Sequence, residues 1–200
     1  MSRFDRTRID IVSDETVWKG WSTLRRVVFD YGRDGKQARL QWEVFDRGEA
    51  VAVLLYDPRR DVVVLVRQFR LPVYFQGETP FVLEAPAGSM ERGEDPEGTL
   101  IREVLEETGF EIRQPRKLFS AYMSPGAITE KIHFFYAEVS EGDRVAAGGG
   151  LDEEHEDLEL YELSLNEALA MIESGEIFDA KTIMLLQWAA LNRARLSGEI

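Results

Sequence analysis

Between residues 88 and 110 the chain reads GSMERGEDPEGTLIREVLEETGF, and this stretch places three glutamates at the end of one short helix. Asp95 is a good N-cap, Pro96 suits the first helical position because the N–H it lacks would be unpaired there anyway, and Gly109 can take the left-handed conformation that stops the helix. The spacing predicts a helix over 96–108. Residues three and four apart share a helix face, so Glu103 and Glu107 lie one turn apart with Glu106 beside them. Like charges at that spacing cost roughly a few tenths of a kcal/mol per pair. The helix dipole disfavours anions in the last turn by about 0.3–1 kcal/mol each. Folding alone therefore gives no reason for the arrangement, whereas a divalent cation reverses both signs. Carboxylate oxygens with no sulfur or imidazole alongside favour Mg2+, with Mn2+ as the alternative, over zinc. The plain competing reading is a solvated acidic helix face.

The full pattern weighs against that competitor. From Gly88 it runs through five residues to Glu94, seven more to Arg102 and Glu103, then Val104, Glu106, Glu107, Gly109 and the apolar Phe110. Seven fixed positions make an accidental match on the order of one in 10⁷ per starting position. The segment resembles the Nudix box, with every defining position kept. The resemblance implies an α/β/α sandwich and a hydrolase acting on a nucleoside diphosphate linked to another group. It also implies roles, residue by residue. Glu103 and Glu107 would be metal ligands, joined by the backbone carbonyl of Ala87 just before the box glycine. Glu106 would be a further ligand or hold a water beside the metal, and Arg102 would orient the glutamates through charge-assisted hydrogen bonds. Glu94, ahead of the cap, could simply pair with Arg102.

Composition bounds the partners. A net charge of −13 argues against nucleic acid and anionic membranes, both of which need a basic surface. It also means that an anionic substrate would be steered locally, by metal and a few arginines. With 44% hydrophobic residues the chain can bury a core. The sequence has no cysteine, no apolar signal core in MSRFDRTRID and no long apolar run, so the expectation is a soluble, cytoplasmic protein.

Residues 8–12, 22–31 and 39–46 read as strands, with Gly32, Asp34 and Gly35 turning the second into the third. Residues 1–47 are thus expected to form a small antiparallel β-sheet, and 48–200 the α/β catalytic domain. In the ADP-ribose and GDP-mannose branch that the chain resembles, such a sheet exchanges across a homodimer and completes the partner's site. Trp18, Gly20 and Trp21 mark the crossing, with Trp21 a substrate-binding candidate, although both tryptophans could be ordinary core anchors. AVAVLLY, 50–56, and VVVLVR, 62–67, are apolar enough for central strands buried on both faces. FVLEAPAG, 81–88, is a further strand ending at the box, and its Glu84 could face the site or the sheet. Strands are also expected over 116–123 and 132–139, with His133 read as a satisfied strand histidine. LELYEL, 158–163, is another strand, and Ser164 with Glu167 reads as a capping box for a helix over 165–174. The final helix, 180–196, should bury Ile183, Leu185, Leu186, Trp188 and Leu191.

Further site residues follow from the resemblance. The arginine of QFR, Arg70, would present its planar fork to the substrate phosphates. Glu130, after the loop SPGAITE, would lie near the terminal sugar or nucleotide. Lys181 in GEIFDAKT would reach phosphate or sugar from a helix N-terminus. In the acidic loop 140–157, Glu156 would be a metal ligand and Glu154 would stand near the attacking water, with a register uncertain by a residue or two. Glu43 is a nucleotide-side candidate, though Gln41 and Trp42 precede it where the subgroup tends to carry basic residues. The expected reaction is hydrolysis of the pyrophosphate bond of a nucleoside diphosphate sugar, GDP-mannose giving GMP and mannose 1-phosphate, with ADP-ribose as the alternative. A Nudix-fold module that binds without cleaving is the rival class. Such modules commonly lose box glutamates, and none is lost here.

Overall fold

In the computed structural model, which describes residues 2–151, 156–196 and 198, the first three alternating runs become an antiparallel sheet ordered β1-β2-β3. Its strands are β1 (Arg8–Lys19), β2 (Thr23–Arg33) and β3 (Lys36–Asp46), all longer than the sequence runs suggested. Asp34 and Gly35 make the two-residue hairpin with φ of 49° and 77°, the left-handed pair whose twist matches that of the flanking strands. Charged cross-strand pairs extend the ladder: Asp30 accepts from Arg39 Nε and Nη2 at 2.8 Å each. β1 is exposed along its whole length, leaving Ile9, Ile11, Val17 and Trp18 outside.

The chain divides into two compact units, one holding Met1–Gly48 with Tyr122–Lys131 and the other Glu49–Ala121 with Ile132–Ile200. In the first, the loop around Pro125 is sewn onto β3: Phe45 N–H donates to the Ala127 carbonyl at 2.8 Å, and Thr129 N–H to the Phe45 carbonyl at 3.0 Å.

The second unit is built on a seven-stranded sheet. In chain order its elements are β4 (Glu49–Asp57), β5 (Val62–Phe69), α1 (Leu71–Phe75), β6 (Phe81–Glu84), β7 (Ala87–Ser89), α2 (Pro96–Thr108), β8 (Arg116–Tyr122), β9 (Lys131–Glu138), β10 (Glu159–Ser164), α3 (Leu165–Ser174) and α4 (Ala180–Leu196). The strand order is β10-β5-β4-β9-β8, with β6 paired to β5 and β7 to β4. Val51, Val53 and Leu55 on one face of β4 pack with Leu100 and Val104 of α2 and with Phe110, Phe135 and Ala137. Strand alternation sends Ala52, Leu54 and Tyr56 to the opposite face, and they too are buried, as are Leu165, Ala168, Leu185, Leu186 and Ala189 of α3 and α4. Helices on both faces explain the continuous apolar run of β4 and give the expected α/β/α sandwich. Each buried Val or Leu contributes about 1.5–3 kcal/mol.

Helix α2 keeps its predicted limits: Asp95 accepts from Gly98 N–H at 3.0 Å, and Gly109 closes the helix with φ 74°. The capping box at Ser164 and Glu167 is present. Two expectations are corrected and one further element appears. The strand over 81–88 is two strands with Ala85 and Pro86 between them, because Pro86 has no N–H for a ladder; its carbonyl instead accepts from Val53 N–H at 3.0 Å. The short helix α1 within LPVYF was not anticipated. Leu191 lies on the outer face of α4 and is 87% exposed, while Ile183 and Trp188 are half-buried. No helix among the described residues is long and apolar enough to cross a membrane.

Candidate active site

The pairing of β7 with β4, Val51 opposite Gly88, sets the box glycine against α2. A methyl placed on Gly88 would lie 2.1 Å from the Glu103 carboxyl carbon, so the glutamate occupies the space a side chain would need. One residue earlier, Ala87 N–H donates to Glu107 Oε2 at 3.0 Å. Glu107 is 3% exposed, and burial pushes its carboxyl up to about 8 against the partial relief of that hydrogen bond. The negative charges of Glu103 and Glu156 push it further the same way. Burial likewise raises Glu103, with Arg102 opposing. The Arg102 fork reaches both remaining acids, Nη1 to Glu106 at 2.8 Å and Nη2 to Glu103 at 2.9 Å. Among the described residues no three of these carboxylates converge at ligand distance in this conformation. Their chemistry nevertheless fits a hard divalent cation: oxygen donors only, with Glu103, Glu107 and Glu156 near enough to repel one another.

A second cluster gathers cations. Arg70, between β5 and α1, pairs with Glu84 at the end of β6 through Nε at 2.7 Å and Nη2 at 2.8 Å. Lys181 of α4 binds the same carboxylate and lies 3.1 Å from Asp179. Burial alone would raise the Glu84 carboxyl, yet Arg70 and Lys181 together hold it below its ordinary value. The clamp is braced by its neighbours: Ala85 N–H donates to Thr182 Oγ1 at 2.7 Å, and Thr182 in turn donates to Asp179 at 2.6 Å. Segment 84–87 thus ties the cationic clamp at one end and the Glu107 hydrogen bond at the other. The Arg70 side chain remains 40% exposed.

Ala87, Arg102, Glu103, Glu106, Glu107 and Glu156 therefore come together in the second unit, and Arg70 and Lys181 meet there at Glu84. Trp21, Glu43 and Glu130 belong to the first unit. Trp21 is 90% exposed, and Glu130 pairs with Arg47 at 3.4 Å. Glu43 lines an open cavity of about 370 Å³ with Trp42, Val44, Tyr122 and the loop 125–129. Glu154 lies outside the described residues. Glu94 does not bond to Arg102: its carboxylate accepts from Glu91 N–H at 2.8 Å and Thr99 Oγ1 at 3.0 Å, tying the box loop to the helix. His133 is buried, with Ser120 at Nδ1 and Glu49 at Nε2. Sequence reasoning underrated Glu84 and missed Asp179. A lone acid in the apolar strand FVLE was the available signal for the first.

Clustered acids beside an arginine and a lysine are compatible with hydrolysis of a charged anhydride, and the class of protein, a hydrolase, is set by the family to which the chain belongs. The chain belongs to the Nudix hydrolase family: the NUDIX domain profile matches residues 46–186. It is 43% identical over 183 residues to a GDP-mannose pyrophosphatase of Citrobacter koseri, covering 90% of this chain and 94% of the relative. It is 42% identical over 187 residues to a GDP-mannose pyrophosphatase of Escherichia coli O1:K1 / APEC, covering 92% and 96%. A crystal structure of an ADP compounds hydrolase superposes with a TM-score of 0.73 at 20% identity, over 96% of this chain and 97% of that one, and shares the fold. Nudix hydrolases generally need a divalent metal ion.

Proposed function

We propose that this protein hydrolyses the pyrophosphate bond of a nucleoside diphosphate sugar, GDP-mannose before others, releasing GMP and mannose 1-phosphate with Mg2+ as the ion. The observation that carries the reading is that segment 84–87 joins the glutamate cluster, which would take the cation, to the Arg70–Glu84–Lys181 cluster, whose cations would meet the diphosphate. The 42–43% identity to GDP-mannose pyrophosphatases over at least nine-tenths of the chain supports the substrate.

Glu103, Glu107, Glu156 and the Ala87 carbonyl would hold the ion, and Arg102 would keep Glu103 and Glu106 aimed. When bound, the ion supplies Lewis-acid polarisation and neutralises charge developing on the phosphoryl oxygens. Arg70 would donate to those oxygens, and Lys181 would reach phosphate or sugar. A carboxylate of the site would take the proton of the attacking water as its oxygen bonds to phosphorus and the bridging P–O bond breaks, and Glu154, outside the described residues, would stand near that water. In this reading, residues 1–47 form a dimerisation sheet and 48–200 the hydrolase domain. The exposed apolar residues of β1 fit a homodimer in which that sheet is exchanged and brings Trp21 and Glu43 to the substrate, while Glu130, after the loop SPGAITE, would lie near the terminal sugar or nucleotide. Light scattering at micromolar concentration tests the dimer, for which a monomer mass is the contrary result. A panel of GDP-mannose, ADP-ribose and ADP-glucose with Mg2+, read by the monophosphate released, tests the substrate. GDP-mannose should lead, and faster turnover of ADP-ribose would move the assignment to that substrate.

A further inference from the structure

The loop after β9 folds back onto the end of α2. Val145 and Ala146 N–H donate to the Gly109 carbonyl at 2.8 and 3.2 Å, Gly149 N–H to the Glu107 carbonyl at 2.8 Å and Gly150 N–H to the Glu106 carbonyl at 3.1 Å. The last carbonyls of a helix have no partner within it, so this loop serves as their cap. The same segment is closed on itself: Leu158 N–H donates to the Gly149 carbonyl at 3.1 Å and Glu156 N–H to the Leu151 carbonyl at 3.3 Å. Glu156 consequently stands at the neck of the loop, beside the helix turn that carries Glu106 and Glu107. Two features of Gly150 make that placement achievable. Its φ of 84° is a conformation that side chains other than glycine's resist. A methyl placed there would lie 2.6 Å from Glu156 Cβ and 3.0 Å from its Oε2.

We propose that Gly150 is a positioning residue, whose missing side chain lets Glu156 pack against the loop neck and fixes its carboxylate beside Glu103 and Glu107, thereby setting the affinity for the divalent cation. The inference rests on the proposed role of Glu156 as a cation ligand. The electrostatics agree: the charge of Glu156 is felt by both helix glutamates, which places it at the cluster rather than out in solvent. A ligand delivered by a tethered neck is already ordered when the ion arrives, whereas one displaced by an added methyl must be reordered at the ion's expense.

The test is a double-mutant cycle on the full chain with no substrate present, using wild type, Gly150→Ala, Glu156→Gln and the double variant. Mn2+ affinity is read by calorimetry, together with the rise in Tm on adding Mg2+. Glu156→Gln and Gly150→Ala should each weaken Mn2+ by about 10-fold or more, the scale on which ligand-orienting contacts act. The double variant should bind no more weakly than Glu156→Gln alone, because the glycine acts through the glutamate. Gly142→Ala, at an ordinary backbone position where an added methyl would meet only Ser140 Oγ at 3.9 Å, should bind as wild type does. If Gly150→Ala loses its fold, Gly150→Asn replaces it, since asparagine tolerates left-handed φ while still adding a Cβ. Wild-type affinity in Gly150→Ala overturns the proposal, and so does a loss from that substitution that is the same with and without Glu156→Gln. Wild-type affinity in Glu156→Gln removes Glu156 from the ligand set and this proposal with it, while the substrate panel still decides the hydrolase reading.

Discussion

Arg70 and Glu84 are joined by two parallel hydrogen bonds of 2.7 and 2.8 Å, and the Glu84 side chain is 3% exposed. Lys181 shares the same carboxylate, so one buried anion serves two cations. Glu84→Leu leaves Lys181 only Asp179 and turns Arg70 to solvent, and stability should fall by about 1.5–3 kcal/mol in urea unfolding near neutral pH. Because the folded-state carboxyl is held below its ordinary value, its contribution is present above the unfolded pKa and is lost as pH falls through the folded one. Variant and wild type should thus converge in acid. A deficit that persists unchanged at low pH would point to packing rather than charge.

Glu107 behaves in the opposite sense. Its carboxyl is raised from the 4.5 of an ordinary glutamate to about 8, so between those values the folded state binds more protons than the unfolded chain. Stability of the metal-free protein should therefore decline as pH rises from about 5 towards 8, with a slope of at most about 1.4 kcal/mol per pH unit from this group. Glu107→Gln should flatten the profile. A wild-type profile already flat across that window would show that the group is ionised throughout.

Glutamine at 107 can still accept the Ala87 N–H, so the same variant should keep its fold while losing function. Turnover of GDP-mannose should drop by at least about 10²-fold, the scale of removing a major electrostatic contact in a reacting site. Circular dichroism and a steady-state assay with Mg2+ check both halves. Unchanged turnover would remove Glu107 from the cation site.

Arg70→Lys keeps the positive charge but not the planar fork that spans Glu84, in a side chain that is 40% exposed. Loss of one charge-assisted hydrogen bond, about 1.5–3 kcal/mol, corresponds to a fall in kcat/KM of roughly 10- to 100-fold. Comparing kcat/KM for GDP-mannose between the two proteins measures it, and parity would mean that the arginine serves only Glu84.

Much of the fold was legible in the chain because it is written in local patterns. Asp95, Pro96 and Gly109 fix both ends of α2 through backbone geometry alone, and the continuous apolar run of β4 reports burial on both faces. The two-part strand around Pro86 was harder. A proline forbids a ladder bond, but only the neighbouring strand shows where the chain resumes pairing. Leu191 was misplaced because a long helix with apolar residues scattered around it has no single face until its neighbours choose one.

The sequence by itself determined that acids cluster at the end of α2, since helical spacing is a property of a dozen consecutive residues. It also marked the family, because the box is a local pattern. Tertiary structure alone decided what those acids and their partners meet. Arg70 precedes Glu84 by 14 positions and Lys181 follows it by 97, and only the sandwich brings both cations onto one carboxylate. Whether a charge is buried, paired or open is set by everything packed around it, and that surrounding belongs to no single stretch of chain.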